Sequence, residues 1–149
     1  MINNLDIVTK SESECIQLGK NFSKYLSLGN TVSLEGDLGS GKTTFIKGVM
    51  LGFNYQYDVT SPTFTLVNEY LAVKKVVHID FYREENPERW KVIGIDDYIC
   101  SNNCITMIEW GNLHPDLLPD DAIFLDLSAG IGLINSIVAY APSLYVIRN

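Results

Sequence analysis

Between residues 31 and 51 an alternating β-branched run, a glycine-rich turn and an apolar helical run follow one another without a break. Thr31-Val-Ser-Leu-Glu35 reads as a strand, and Lys42–Leu51 as a helix that ends at Gly52. The turn joining them, Gly36-Asp-Leu-Gly-Ser-Gly-Lys42-Thr43, matches G-x-x-x-x-G-K-[ST] in full. Such a turn works only where a strand delivers it and a helix leaves it, so it dictates a layered α/β core. Its glycines let successive backbone N–H groups turn inward around phosphate oxygens, and the helix N-terminus adds its field. Lys42 is placed to reach β- and γ-phosphates, and the Thr43 hydroxyl to ligate Mg²⁺.

The remaining elements fit one α/β domain spanning residues 1–149, a length that buries a single core. Cys15, Leu18, Gly19, Phe22, Tyr25 and Leu26 recur at helical spacing, with Thr9-x-x-Glu12 or Ser11-x-x-Glu14 as capping box and Gly29-Asn30 as stop. Residues Phe53–Phe64 read as a loop. The runs Thr65–Leu71 and Val76–Phe81 read as strands joined by only four residues, Ala72–Lys75. A parallel crossover needs about a dozen, so this pair is an antiparallel hairpin and the sheet is mixed. Asn86-Pro87 starts a helix, and Ile95–Cys100 is a further helical piece. Ile105–Trp110 and Ala122–Leu127 are strands, with Ile134–Tyr140 and Leu144–Ile147 as edge strands.

Composition narrows the function classes. Eighteen acidic side chains against 11 basic ones give a net charge of −7, and arginine occurs only at Arg83, Arg89 and Arg148. Autonomous nucleic-acid binding needs cations to displace phosphate counterions, and this balance argues against it. No apolar stretch reaches the roughly 20 residues of a membrane span, and no basic-then-apolar leader opens the chain. A cytoplasmic protein is expected. Cys15, Cys100 and Cys104 suit reduced thiols there. They make no zinc set, since His78 and His114 lie in unrelated segments.

A phosphate loop calls for an acidic residue at the end of an apolar strand. Val76-Val-His-Ile-Asp80 and Ile105-Thr-Met-Ile-Glu109 both supply one. One carboxylate is expected to organise Mg²⁺ and the other to orient or deprotonate water; the residues leave the division open. Trp110 should project to the side of its strand opposite Glu109, into the core or beside a nucleotide. His78 shares a face with Asp80 and reads as a buried, hydrogen-bonded histidine. Arg83 is placed to meet a phosphate or to pair with Glu84 or Glu85. Thr60-Ser-Pro-Thr-Phe64 lies where a nucleotide-sensing loop belongs, its hydroxyls available to γ-phosphate or Mg²⁺.

Taken in order, Glu35-Gly-Asp-Leu-Gly-Ser-Gly-Lys-Thr-Thr44, Ser61-Pro-Thr-Phe64, His78-Ile-Asp-Phe-Tyr-Arg83, Gly94-Ile-Asp-Asp-Tyr98 and Ile108-Glu-Trp110 resemble the TsaE (YjeE) family of bacterial ATPases over roughly residues 5 to 127. The resemblance implies a P-loop domain with a mixed sheet that binds and hydrolyses ATP with Mg²⁺. It implies a role in threonylcarbamoyl transfer to the adenosine beside the anticodon of certain tRNAs, through docking on TsaB and TsaD, with tRNA met only through that complex. Residue by residue, it implies nucleotide contacts from Asp37, Leu38, Gly39, Ser40, Gly41, Lys42, Thr43 and Thr44, with Thr43 also on the metal. Ser61–Phe64, Thr63 among them, would form the responsive loop. Asp80 and Glu109 would serve metal and hydrolysis, with Trp110 beside the nucleotide. After Trp110 the chain has Gly111-Asn112, where relatives often carry Pro or Ser and an acidic residue.

Two other classes use the same turn. A small-molecule P-loop kinase closes an Arg-rich lid over its phosphoryl group, and three arginines make a poor lid. A nucleotide-dependent switch that reads guanine wants an N/T-K-x-D-like segment, which the chain lacks.

Overall fold

The computed structural model describes residues 3–62, 65–99, 101–129 and 135–141. The strands are β1 (Asn3–Thr9), β2 (Thr31–Glu35), β3 (Val67–Tyr70), β4 (Val76–Asp80), β5 (Ile105–Glu109), β6 (Ile123–Ala129) and β7 (Asn135–Ala141). The helices are α1 (Glu12–Phe22), α2 (Lys42–Gly52), α3 (Pro87–Ile93) and α4 (Ile95–Ile99), with single 3₁₀ turns between several elements. The described strands form one sheet in the order β1-β7-β6-β2-β5-β4-β3. Its centre is parallel: β2 lies between β5 and β6, and β4 runs beside β5. The β3–β4 hairpin is antiparallel, as its four-residue connection requires, and so are the pairings of β7 with β1 and β6. The mixed α/β expectation holds.

Helices cover both faces because side chains alternate along the central strands. Val76, Ile105 and Met107 join one cluster with Phe22, Phe45, Val49 and Met50 of α1 and α2. Val77, Ile79 and Ile108 face the other way, onto Trp90, Ile95 and Ile99 of α3 and α4. Each fully buried aliphatic or aromatic side chain here is worth about 1.5–3 kcal/mol. The Trp90 indole is wholly buried, and its Nε1–H donates to the Glu84 carbonyl at 3.0 Å.

Local chemistry sets the helix ends. Ser11 caps α1 by accepting from the Glu14 amide at 3.2 Å, while the Glu14 carboxylate accepts from the Lys10 amide at 2.6 Å, so Ser11 rather than Thr9 is the N-cap and Glu14 reaches one residue beyond the capping-box partner. Asn86 caps α3 in the same way, with Pro87 in the first turn. Helices α1 and α2 touch backbone to backbone: a methyl group at Gly48 would stand 2.1 Å from the Ile16 carbonyl oxygen. That contact fixes the tilt of α2, and with it the turn at its N-terminus.

Several boundaries differ from expectation. β4 and β5 each stop one residue early, at Asp80 and Glu109, because the chain turns directly after the carboxylate. β3 is shorter than Thr65–Leu71, and Leu66 takes a left-handed φ of 64° just before it. β1 has no counterpart among the expected strands. The expected edge strand Ile134–Tyr140 corresponds to β7, which is not an edge but lies between β1 and β6, whereas Leu144–Ile147 lies outside the described residues. Among the described residues no helix is long and apolar enough to cross a membrane.

Candidate functional site

The parallel strands place their C-terminal ends along one edge of the sheet, which is where open α/β sheets hold ligands. Strand β2 delivers the glycine-rich turn there. Gly36 sits at φ 138°, and a methyl group on it would stand 2.0 Å from the Leu127 carbonyl oxygen, so no larger residue fits. The turn ends at Gly41, whose left-handed conformation leaves the first amides of α2 without a side-chain cap. Uncapped amides at the start of an 11-residue helix form an anion site. Of the expected nucleotide contacts, Leu38, Gly39, Gly41, Lys42, Thr43 and Thr44 line one cavity of about 330 Å³ together with Ser61, Asp80, Glu109 and Trp110.

Lys42 is 5% exposed. Its Nζ donates to the Gly36 carbonyl at 2.6 Å, to the Asp37 carbonyl at 2.9 Å and to Ser40 Oγ at 3.4 Å. It also lies 4.4 Å from the centre of the Trp110 ring, within cation–π range. Burial pushes the ammonium below the usual lysine range, opposed by the charges of Glu109, Asp80 and Asp37. A cation held by neutral partners in a cavity suits exchange for a stronger anionic one.

The two carboxylates are register partners across β4 and β5. Glu109 Oε1 accepts from Thr43 Oγ1 at 2.9 Å, and its Oε2 is 2.7 Å from His78 Nε2 and 3.5 Å from Ser61 Oγ. Asp80 Oδ1 accepts from the Tyr82 amide at 3.0 Å, and Oδ2 from Ser61 Oγ at 3.1 Å. These surroundings shift the two acids in opposite directions. Burial raises Asp80, and Glu109 adds to it, beyond what the Tyr82 and Ser61 hydrogen bonds recover. Burial would raise Glu109 too, but the His78 hydrogen bond and charge, with Thr43 and Lys42, hold it below the usual glutamate range.

The donor set fits magnesium. Thr43 Oγ1 and the Glu109 carboxylate already touch, Asp80 adjoins them, and all are hard oxygen ligands. Among the described residues no cluster of three or more His, Cys, Asp or Glu stands ready for a metal. Magnesium does not require one, since it commonly takes one or two carboxylates plus phosphates and waters.

Trp110 leaves the strand at φ 61°, packs against the cluster of Val77, Ile79 and Ile108 on the side opposite Glu109, as expected, and also lines the cavity, its ring 5.0 Å from that of Tyr82. Arg83 forms no pair with Glu84, which binds Arg89 at 3.3 Å; it lies over the Tyr82 ring and lines the cavity. Thr63 and Phe64 lie outside the described residues. Tyr70 and Tyr82 were missed. Tyr82 sits two residues past Asp80 in the His78–Arg83 motif, whereas nothing local to Tyr70 marks it.

A family model described as "Threonylcarbamoyl adenosine biosynthesis protein TsaE" matches residues 9–131. Curated relatives named "tRNA threonylcarbamoyladenosine biosynthesis protein TsaE" are similar over most of the chain. The one from Haemophilus influenzae is 38% identical over 122 residues, covering 78% of this chain and 77% of its own. The one from Borreliella burgdorferi is 37% identical over 116 residues, covering 77% and 84%. Among solved structures, the crystal structure of Bacillus subtilis YdiB aligns with a TM-score of 0.83 at 28% identity, over 96% of this chain and 88% of that one.

Proposed function

The chain belongs to the TsaE family, and from that premise we propose that it binds and slowly hydrolyses MgATP in the biosynthesis of threonylcarbamoyladenosine in tRNA. The observation that carries the reading is the contact between the Thr43 hydroxyl, in the first turn of α2, and the Glu109 carboxylate at the end of β5. It joins the phosphate-binding turn to an acidic strand end, as ATP hydrolysis demands.

In this reading the amides of Gly39 through Thr44 cradle the phosphates, with Asp37 and Leu38 completing the turn; Thr63, expected to contact the nucleotide, lies outside the described residues. Lys42 Nζ leaves the Gly36 and Asp37 carbonyls for β- and γ-phosphate oxygens. Thr43 and Glu109 would hold magnesium, with Asp80 adjoining them, and the ion would supply charge neutralisation at the phosphates. Asp80 accepts a hydrogen bond from the attacking water at Oδ2, the oxygen that Ser61 Oγ reaches at 3.1 Å. Trp110 walls the nucleotide on the Lys42 side.

With few cations to grip RNA, the chain acts on tRNA through partners, TsaB and TsaD in this scheme. Reconstitution with those two proteins, following modified adenosine in tRNA, tests the reading; modification that proceeds unchanged without this chain would sink the pathway role. Lys42→Ala tests the ATPase separately. It is expected to weaken ATP binding by roughly tenfold to a hundredfold, the worth of a charge-assisted hydrogen bond, and turnover at the parent rate would refute the assignment.

A further inference from the structure

Glu109 is connected by a buried chain of polar groups to the loop that faces the phosphate-binding turn. His78 is wholly buried, and both ring nitrogens have partners: Nε2 stands 2.7 Å from Glu109 Oε2, and Nδ1 stands 3.4 Å from the Tyr70 hydroxyl. Tyr70, 5% exposed, donates in turn to the Thr60 carbonyl at 3.2 Å. Asn68 Nδ2 reinforces this end by donating to the same carbonyl at 3.2 Å. The neighbouring residue, Ser61, closes the circuit: its hydroxyl, with one proton to give, stands 3.1 Å from Asp80 Oδ2 and 3.5 Å from Glu109 Oε2.

An imidazole sealed in a sheet core beside a carboxylate is a costly way to fill space, and an apolar side chain would fill it more cheaply. The arrangement does something an apolar residue cannot. Glu109 can swing about its side-chain torsions, and the His78 bond fixes which oxygen faces Thr43. The hydroxyl of Tyr70 has one proton to give, and the Thr60 carbonyl can only accept. How Tyr70 divides itself between Thr60 and His78 therefore depends on where the loop stands.

Resting on the MgATP reading above, we infer that Tyr70 and His78 are positioning residues which couple the position of the loop at Thr60–Ser61 to the orientation of the Glu109 carboxylate. Neither touches nucleotide. The Tyr70–His78 link lets the loop, once it meets a γ-phosphate, set the carboxylate for the metal, and lets loss of that phosphate release it.

The test works from both ends of the chain. Tyr70→Phe removes one oxygen that touches neither carboxylate. It is expected to raise the Mg²⁺ concentration for half-maximal ATP hydrolysis roughly fivefold, the worth of one hydrogen bond, with nucleotide affinity in the absence of metal unchanged. His78→Leu is expected to raise it roughly tenfold to a hundredfold, as loss of a ligand's supporting partner does. His78→Gln, which returns a donor toward Glu109, should recover part of this. In the His78→Leu background, Tyr70→Phe should add nothing. From the other end, nucleotide-free His78→Leu should speed amide exchange across residues 57–62 roughly tenfold although His78 does not contact them. An unchanged Mg²⁺ requirement in Tyr70→Phe, full additivity of the pair, or parent exchange in the loop would overturn the coupling. If the parent chain hydrolyses no ATP at all, the functional reading fails by itself, and the exchange measurement still decides the coupling.

Discussion

The Thr43 hydroxyl and Glu109 Oε1 are 2.9 Å apart, so a hydrogen bond joins the first turn of α2 to the end of β5. Thr43→Val keeps the shape but removes the donor. Mg²⁺-dependent ATP turnover is expected to fall about a hundredfold, at the upper end of losses around metal ligands, while Thr43→Ser stays near the parent. Assays across a Mg²⁺ series check this; equal activity in Val and Ser variants would exclude the hydroxyl as a ligand.

Asp80 and Glu109 should affect stability with opposite signs. Burial holds Asp80 above the usual carboxylate range, so the folded chain binds its proton more tightly than the unfolded chain. Its effect on stability therefore worsens as pH rises through the ordinary range to the raised folded value. Asp80→Asn is expected to stabilise the ligand-free protein by about 1 kcal/mol at neutral pH, a gain that shrinks in acid. Glu109 is held low by His78, Thr43 and Lys42 against the upward push of burial. Its contribution is present above the ordinary glutamate range and is lost as pH falls through the depressed value. Glu109→Gln should cost about 1–3 kcal/mol at neutral pH. Urea denaturation at neutral and acid pH decides, and equal signs at neutral pH would contradict the electrostatic account.

Gly36→Ala should damage the turn more than a surface change would. A left-handed φ combined with a 2.0 Å approach to the Leu127 carbonyl oxygen forces β2 and β6 apart. A loss of at least about 2 kcal/mol is expected, with weakened nucleotide binding in the same variant. A parent denaturation midpoint would show that the turn relaxes freely.

Intrinsic fluorescence offers a direct readout. Of the two tryptophans, Trp90 is wholly buried under α3, whereas Trp110 lies over Lys42 in the cavity. Nucleotide that draws Lys42 away changes the surroundings of Trp110 alone. Trp110→Phe should abolish the nucleotide-induced fluorescence change and Trp90→Phe should keep it. The reverse pattern would place the ligand elsewhere.

The sequence was most legible where neighbours along the chain do the chemistry. The turn from Gly36 to Thr43 declared itself because strand, glycines and helix are contiguous, and the hairpin because four residues cannot make a parallel crossover. Asp80 and Glu109 were legible as strand ends, but their adjacency depends on β4 lying beside β5 in the sheet. Tyr70 is invisible for the same reason: its meaning comes from His78 across a strand pair and from Thr60 across a loop. Strand β1 was missed because Asn-Asn-Leu-Asp carries poor strand formers, and its extended form comes from pairing with β7 rather than from its own preference.

That last pairing has a consequence for the order of assembly. β1 is made early and β7 late, with Asn3 opposite Ala141, so their ladder closes nearly the whole described chain into one loop. Contacts of such long sequence separation form slowly. During synthesis the first strand must wait, unpaired, while α1, the phosphate-binding turn and both acidic strand ends are already available to fold around β2. The edge that carries the glycine-rich turn is therefore expected to form from the middle of the chain, with the β1–β7 ladder closing after it.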